Sequence, residues 1–267
     1  MCDTCGCNMT HANQHLLLGN GQLAHTSNGS ESIEVLKGLL DANDHQAEHN
    51  RQHFAEHGVL AVNLMSSPGA GKTALLEATI DTLRKRYRIA VIVGDLETDN
   101  DARRLRQHGA PALQISTGSA CHLDAHMVHM ALHDLDLHNL DIVFIENVGN
   151  LVCPASFDLG QHCNVTLLSS PEGDDKPQKY PVMFRAADLL LLTKSDLTPL
   201  LGDFVPQRAE QCLRELANDA PVIELSSKSG AGMNHWINWL ERSLQLERAN
   251  VRNDTAMHAH IAGPSHG

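Results

Sequence analysis

The sequence predicts a three-layer α/β fold built on a mostly parallel sheet. Short apolar runs recur at Leu60 to Met65, Ile89 to Val93, Ala112 to Ile115, Ile142 to Ile145, Val165 to Leu168, Leu189 to Leu192 and Val222 to Leu225. Helix-like segments follow most of them, the pattern of parallel strands covered on both faces. The first run leads into SSPGAGKT, Ser66 to Thr73, and then directly into an amphipathic helix. Charged and polar residues stand at the carboxyl ends of later runs, where such sheets bind their ligands. Together these features describe a P-loop NTPase architecture spanning residues 59–248, preceded by a flexible tail (1–30) and a helical extension (31–58), and followed by a flexible tail containing histidines (249–267).

Composition bounds the class. A chain of 267 residues is long enough for one α/β domain with extensions. Its formal charge of -12 opposes nonspecific binding to nucleic acid or anionic membranes. No secretory leader pattern or apolar stretch of membrane-spanning length is read, so a cytoplasmic protein is expected. The seven cysteines are too few for a disulfide scaffold, and three of them crowd the first seven residues.

That N-terminal segment, CDTCGC, sets Cys2, Cys5 and Cys7 around Gly6, so that one ion can be wrapped by a short loop. Three thiolates leave a fourth position open to a backbone nitrogen, to His11 or to a second molecule; tetrahedral zinc and planar nickel are both compatible. The next segment, SIEVLKGLLDANDHQAEHNRQHFAEHG, reads as a helix from Ser32 to about His57, with Ile33, Leu36, Leu39 and Leu40 on one side. His45, His49, His53 and His57 recur every four residues and read equally as a metal stripe or as a solvent-facing row.

The loop after the first strand has the chemistry of a phosphate cradle. Gly69, Ala70 and Gly71 expose backbone N–H groups, the following helix (Ala74 to Arg86) presents its N-terminus, Lys72 reaches the β/γ-phosphates and Thr73 offers a hydroxyl to Mg²⁺. Ser66 stands where the general pattern has its first glycine. The second strand ends at Asp95, a candidate Mg²⁺ group, and Glu97, Asp99 and Asp101 follow. Asp99 or Asp101 could align an attacking water, or cap the next helix. A helix is expected from about Cys121, with Cys121-His122 at its start and His126, His129 and His133 sharing much of one face.

Glu146, at the end of the fourth apolar run, takes the place of the second Mg²⁺-linked acid, and Gly149 matches the γ-phosphate-sensing glycine of a DxxG element with Glu for Asp. Cys153 follows four residues later, a short lever from sensor to thiol. Thr193-Lys194-Ser195-Asp196 is NKxD with Thr for Asn. Asp196 can accept both guanine N1–H and its 2-amino group; leaving that acid unsatisfied costs roughly 1–3 kcal/mol, which favours GTP over ATP. Ser226, Ser227 and Lys228 close the base pocket, and a helix from Met233 to Leu246 packs Trp236, Ile237 and Leu240 on the sheet.

The ordered set CDTCGC, SSPGAGKT, GDLETDND, SACHLDA, ENVGNLVCP and TKSD resembles the HypB family, nickel-incorporation accessory GTPases of hydrogenase maturation, over residues 2 to 240. The resemblance implies a member of the dimerising branch of P-loop GTPases, with GTP/GDP and Mg²⁺ held by Lys72 and Thr73, Asp95 and Glu146 in the switch regions, and Asp196 selecting guanine. It also implies a Ni²⁺ or Zn²⁺ site of Cys121, His122 and Cys153 at a subunit interface, and a separate nickel motif of Cys2, Cys5 and Cys7. Implied partners are a second copy in a GTP-dependent homodimer, a small zinc-containing nickel-delivery chaperone and the [NiFe]-hydrogenase large-subunit precursor. Ser66 matches this branch's own loop, whereas Thr193 departs from it by losing the Asn amide that steadies the pocket. A nickel/zinc store with a regulatory nucleotide site, a urease-type nickel GTPase and a small-molecule kinase are the alternative readings.

Overall fold

All seven apolar runs become strands of one parallel sheet. The computed structural model describes residues 29–95, 98–118 and 120–261 together with a two-residue hairpin pair, β1 (Leu17–Leu18) and β2 (Gln22–Leu23); side chains are described at 40–95, 98–118 and 120–252. The Cys2, Cys5 and Cys7 motif, His11 and Glu97 lie outside the described residues. In order, the main elements are α1 (Gly29–Glu56), β3 (Leu60–Ser66), α2 (Lys72–Leu83), β4 (Ile89–Asp95), α3 (Asn100–Gln107), β5 (Ala112–Ser116), α4 (Ala125–Leu132), β6 (Ile142–Glu146) and β7 (Cys163–Ser169). There follow α5 (Lys176–Lys179), α6 (Pro181–Arg185), β8 (Leu189–Thr193), α7 (Pro206–Glu215), β9 (Val222–Glu224) and α8 (Met233–Ile261).

The strand order is β5-β4-β6-β3-β7-β8-β9, with every pairing parallel. Strand β3 sits at the centre, buried along its whole length, so the phosphate loop leaves from the middle of the sheet. The register sets Leu64 opposite Glu146 and Val93 opposite the same residue, which aims the carboxyl ends of β3, β4 and β6 into one crevice.

Alternation along the strands divides the core. Leu60, Val62 and Leu64 pack with Leu75, Leu76 and Ile80 of α2, Leu105 of α3 and Trp236, Ile237 and Leu240 of α8. On the other face, Ala61, Ile92, Val143 and Ile145 meet Phe54 of α1 and Val128 and Leu132 of α4, and further along Leu190 and Leu192 meet Phe184 of α6 and Leu213 of α7. The tryptophans are packing anchors, as expected: Trp236 is fully buried, stacks on Trp239 and donates its indole N–H to the Thr79 hydroxyl at 2.8 Å. Among the described residues no helix is long and apolar enough to cross a membrane.

Several boundaries differ from the sequence expectation, among them α2, which spans Lys72–Leu83 and not Ala74 to Arg86. Helix α8 runs past Leu246 to Ile261. Helix α7 stops at Glu215, where Ala217 takes a left-handed φ of 56° and Asn218 turns its amide onto the carbonyls of Phe184, Arg185 and Ala187. Helix α4 starts at Ala125 instead of Cys121: the Asp124 carboxylate accepts the Met127 N–H at 2.8 Å, fixing the N-cap there and leaving Cys121 and His122 in the preceding loop.

Candidate functional site

The phosphate loop makes its two left-handed turns at Gly69 (φ 75°) and Gly71 (φ 101°), so Ser66 occupies an ordinary backbone conformation and needs no glycine. Its hydroxyl donates to the Ser67 carbonyl at 2.7 Å and accepts from Lys72 Nζ at 3.0 Å. Lys72 is buried, and desolvation lowers its pKa, with Glu146 foremost among the neighbouring acids that oppose this.

Glu146 is 4 % exposed and accepts the Thr73 hydroxyl on Oε1 at 2.8 Å. Its other oxygen, Oε2, is buried without a hydrogen-bond partner, and burial pushes the carboxyl up to about 7 despite Lys72 and Thr73. An orphaned carboxylate oxygen beside a threonine hydroxyl is a hard-oxygen donor set that a small divalent cation would complete. Asp95 ends β4 on the same rim and accepts the Thr98 hydroxyl at 2.5 Å.

The crevice is lined by Gly69, Lys72, Thr73, Asp95, Asp101, Glu146 and Gly149, among others. Asp99 is not in it. That acid is exposed and paired through both oxygens with Arg106, at 2.9 and 3.1 Å, whose hydrogen bonds hold it below the usual carboxylate range. Asp101, two residues further on, is the acid of α3 that lines the crevice.

At the base end, Lys194 adopts a left-handed φ of 56° and its Nζ donates to the Gly69 carbonyl at 2.7 Å. Thr193 is buried and donates to the Ala70 carbonyl at 2.7 Å. The residue that replaces the expected Asn therefore still ties this strand end to the phosphate loop. Asp196 accepts the Ser226 hydroxyl at 2.7 Å, which aims its carboxylate; Ser227 is half-buried and Lys228 exposed in the turn beyond β9.

Beside this crevice the structure gathers Cys121, His122 and Cys153, whose ligand atoms all lie within 4.8 Å of one another. Cys121 Sγ is 3.9 Å from His122 Nδ1; His122 and Cys153 are buried, and the imidazole stacks on Phe157 at 4.0 Å. The spread is about twice a metal–thiolate or metal–imidazole bond of roughly 2.0–2.3 Å, so small side-chain rotations close the three around one ion. Among the described residues this is the one group of three such ligands so close together.

Several residues that hold the site together carry no motif. Asn147, 1 % exposed, accepts the N–H groups of Leu123 at 3.2 Å and Val148 at 3.0 Å, while its amide donates to Asn63 at 3.2 Å. Asn150 donates to the Cys121 carbonyl at 3.3 Å. Both thus tie the cysteine–histidine loop to the segment between Glu146 and Cys153. Gly149 packs so closely that an added Cβ would meet Pro68 Cα at 2.8 Å, which locks this segment to the phosphate loop. Glu172 accepts from Ser67 and closes a capping box with Ser169. Only that last feature had a local signal, the Ser-x-x-Glu spacing.

The parallel sheet and the glycine-turned loop leaving its central strand define a P-loop nucleotide-binding protein, here with a thiol–imidazole cluster beside the loop. The model of the CobW/HypB/UreG nucleotide-binding domain matches residues 60–224. The hydrogenase maturation factor HypB of Azotobacter vinelandii is 50 % identical over 221 residues, 82 % of this chain and 73 % of that protein, and that of Escherichia coli K12 is 51 % identical over 209 residues, 78 % and 72 % of the two chains. A crystal structure of HypB from Helicobacter pylori in complex with nickel superposes with a TM-score of 0.73 at 41 % identity, covering 79 % of this chain and 97 % of that one. HypB from Archaeoglobus fulgidus gives 0.72 at 39 %, covering 77 % and 100 %. The chain belongs to the HypB family of hydrogenase maturation factors.

Proposed function

We propose that this GTPase is a nickel metallochaperone in which the nucleotide state sets how tightly Cys121, His122 and Cys153 hold Ni²⁺. The observation that carries the reading is the pair of asparagines. Asn147 and Asn150 bind the loop of Cys121 to the very segment whose glycine lies against the phosphate loop. Any shift of Gly149 on γ-phosphate loss moves Cys153 and pulls on Cys121 together.

GTP lies with its phosphates on the loop N–H groups and Lys72, and its guanine on Asp196. Thr73, Glu146 and Asp95 would hold Mg²⁺, which when bound neutralises charge on the β- and γ-phosphates. Asp101 orients the attacking water. The solved relative bound to nickel supports Ni²⁺ as the cargo, and the same donors suit Zn²⁺. Cys2, Cys5 and Cys7 form a second, separate nickel site. The GTP-bound form pairs as a cytoplasmic homodimer, receives nickel with a small zinc-containing chaperone, and releases it to the hydrogenase large-subunit precursor.

Ni²⁺ affinity measured in a Cys2→Ala/Cys5→Ala/Cys7→Ala background, with GDP and then with a nonhydrolysable GTP analogue, tests the coupling. A difference of about tenfold, a coupling near 1.4 kcal/mol, is expected. Equal affinities in the two states would remove the switch.

A further inference from the structure

A second group of nitrogen ligands lies on the opposite face of the sheet from α2, where α1 packs on α4. Ala47, Asn50 and Phe54 form the buried side of α1, which leaves His45 and His49 exposed and His53 half-buried at the helix edge. Helix α4 brings His126, His129 and, at its C-cap, His133 to the same surface, and the rings of His57 and His138 meet edge to face at 4.3 Å. Within this group one pair stands apart. His129 Nε2 and His133 Nε2 are 3.3 Å from each other, on successive turns of α4.

The tautomer of His129 follows from its other nitrogen. The Asn50 amide donates to two buried carbonyls, Ala125 at 2.8 Å and Leu159 at 3.0 Å, which fixes its Nδ2 and leaves Oδ1 as an acceptor. His129 Nδ1 lies 3.1 Å from that Oδ1 and must therefore be the N–H donor. A neutral ring protonated on Nδ1 carries its lone pair on Nε2, aimed at His133. That lone pair accepts the hydrogen bond from His133 Nε2 at 3.3 Å, and burial and the neighbouring histidines His133, His53, His126 and His49 lower the pKa of His129, which favours the neutral ring. A carbonyl-type acceptor behind one ring nitrogen, with the other nitrogen facing outward, is the arrangement that metal-ligating histidines use.

Distance gives an independent reason. Two imidazole nitrogens bound to one tetrahedral cation at 2.0–2.1 Å lie about 3.3 Å apart. The pair already has that separation, and His133 is exposed, so an ion can replace the hydrogen bond between the two nitrogens once His133 shifts its proton to Nδ1 and the rings turn their lone pairs to a common point.

We propose that His129 and His133 form a further transition-metal site, binding one borderline divalent cation through both Nε2 atoms, with water completing the shell and Asn50 holding the His129 ring. Imidazole ligands suit Ni²⁺, Cu²⁺ and Zn²⁺. The site sits one turn into the helix that follows the Cys121-His122 loop, yet shares none of its ligands. Its occupancy is therefore independent of nucleotide and stands or falls separately from the switch.

Equilibrium dialysis of the full chain against Ni²⁺ tests this, with Zn²⁺ as a second probe and thiolate-to-nickel absorption recorded in parallel. His133→Gln, at an exposed position, is expected to lose one Ni²⁺ equivalent per chain or weaken it at least about tenfold, with the thiolate absorption unchanged and with the same result in GDP and in the GTP analogue. His126→Gln, exposed on the same helix but outside the pair, keeps full stoichiometry. Unchanged Ni²⁺ stoichiometry and affinity in both His133→Gln and the His129→Gln/His133→Gln double variant would overturn the assignment. So would loss of that equivalent together with the thiolate absorption, which would place the ion on the cysteines.

Discussion

The phosphate site and the thiol–imidazole site lie side by side but are built in opposite ways. The first is one continuous strand, loop and helix, Leu60 to Leu83, whose chemistry comes largely from backbone N–H groups and from Lys72 and Thr73 at fixed spacing. The second takes ligands from two loops about thirty residues apart and depends on side-chain bonds from Asn147 and Asn150 to give those loops one position. A contiguous site tolerates distant change; an assembled one is only as rigid as its cross-links. That difference makes the second site sensitive to the state of the first.

The sharpest way to break the contrast is at the residue where the two sites touch. In Gly149→Ala the new methyl group would meet Pro68 backbone atoms at 2.8 and 2.9 Å, so the phosphate loop or the sensor must move. GTP hydrolysis is expected to fall about 10²-fold, on the scale of removing a positioned transition-state donor. Nickel affinity in the GDP state should stay within about twofold. An equal loss of both, measured by phosphate release and by nickel titration, would show that the sites are a single unit and not two coupled ones.

This also explains what was legible in the sequence. The sheet, the phosphate loop, Glu146 and Asp196 could be read because each depends on neighbours in the chain: apolar period, glycine placement, residue type at a strand end. Asp99 could not be separated from Asp101 in that way, since the choice is made by Arg106, seven residues on, which draws Asp99 away from the crevice. The start of α4 was misplaced because Asp124, a strong N-cap, was outweighed by the apolar and histidine pattern that begins at Cys121. Asn63, Asn147 and Asn150 carry no local signal at all. Their roles exist only once β3, β6 and the Cys121 loop are side by side.

A middle-sized effect is expected from cutting the cross-link itself. Asn147→Ala leaves the buried N–H of Leu123 and that of Val148 without their acceptor. Each such loss costs about 1–3 kcal/mol, so denaturant unfolding should show a loss of roughly 2–6 kcal/mol at unchanged slope. More tellingly, nickel affinity should become the same in GDP and in the GTP analogue, while nucleotide affinity changes little. A variant that is destabilised but still coupled would move the lever from Asn147 to Asn150 and the backbone.

The smallest effect serves as a control at the far end of the sheet. His162, just before β7, accepts the Ala61 N–H on Nδ1 at 2.9 Å, and its Nε2 lies 3.3 Å from Glu247 of α8. Burial first, and then the Arg51 charge, lower its pKa from 6.5 to about 4. The unfolded chain thus takes up this proton at a higher pH than the folded one. Stability is full above about 6.5 and falls as the pH drops from there towards 4, by of order 1–3 kcal/mol. His162→Gln, which cannot titrate, should flatten that part of the pH–stability curve measured by chemical unfolding. Because His162 belongs to the ends of the strands remote from Lys72 and Cys153, the variant should leave the nucleotide dependence of nickel affinity at neutral pH intact. Loss of that dependence in His162→Gln would mean that the coupling runs through the whole sheet and not through the two asparagines.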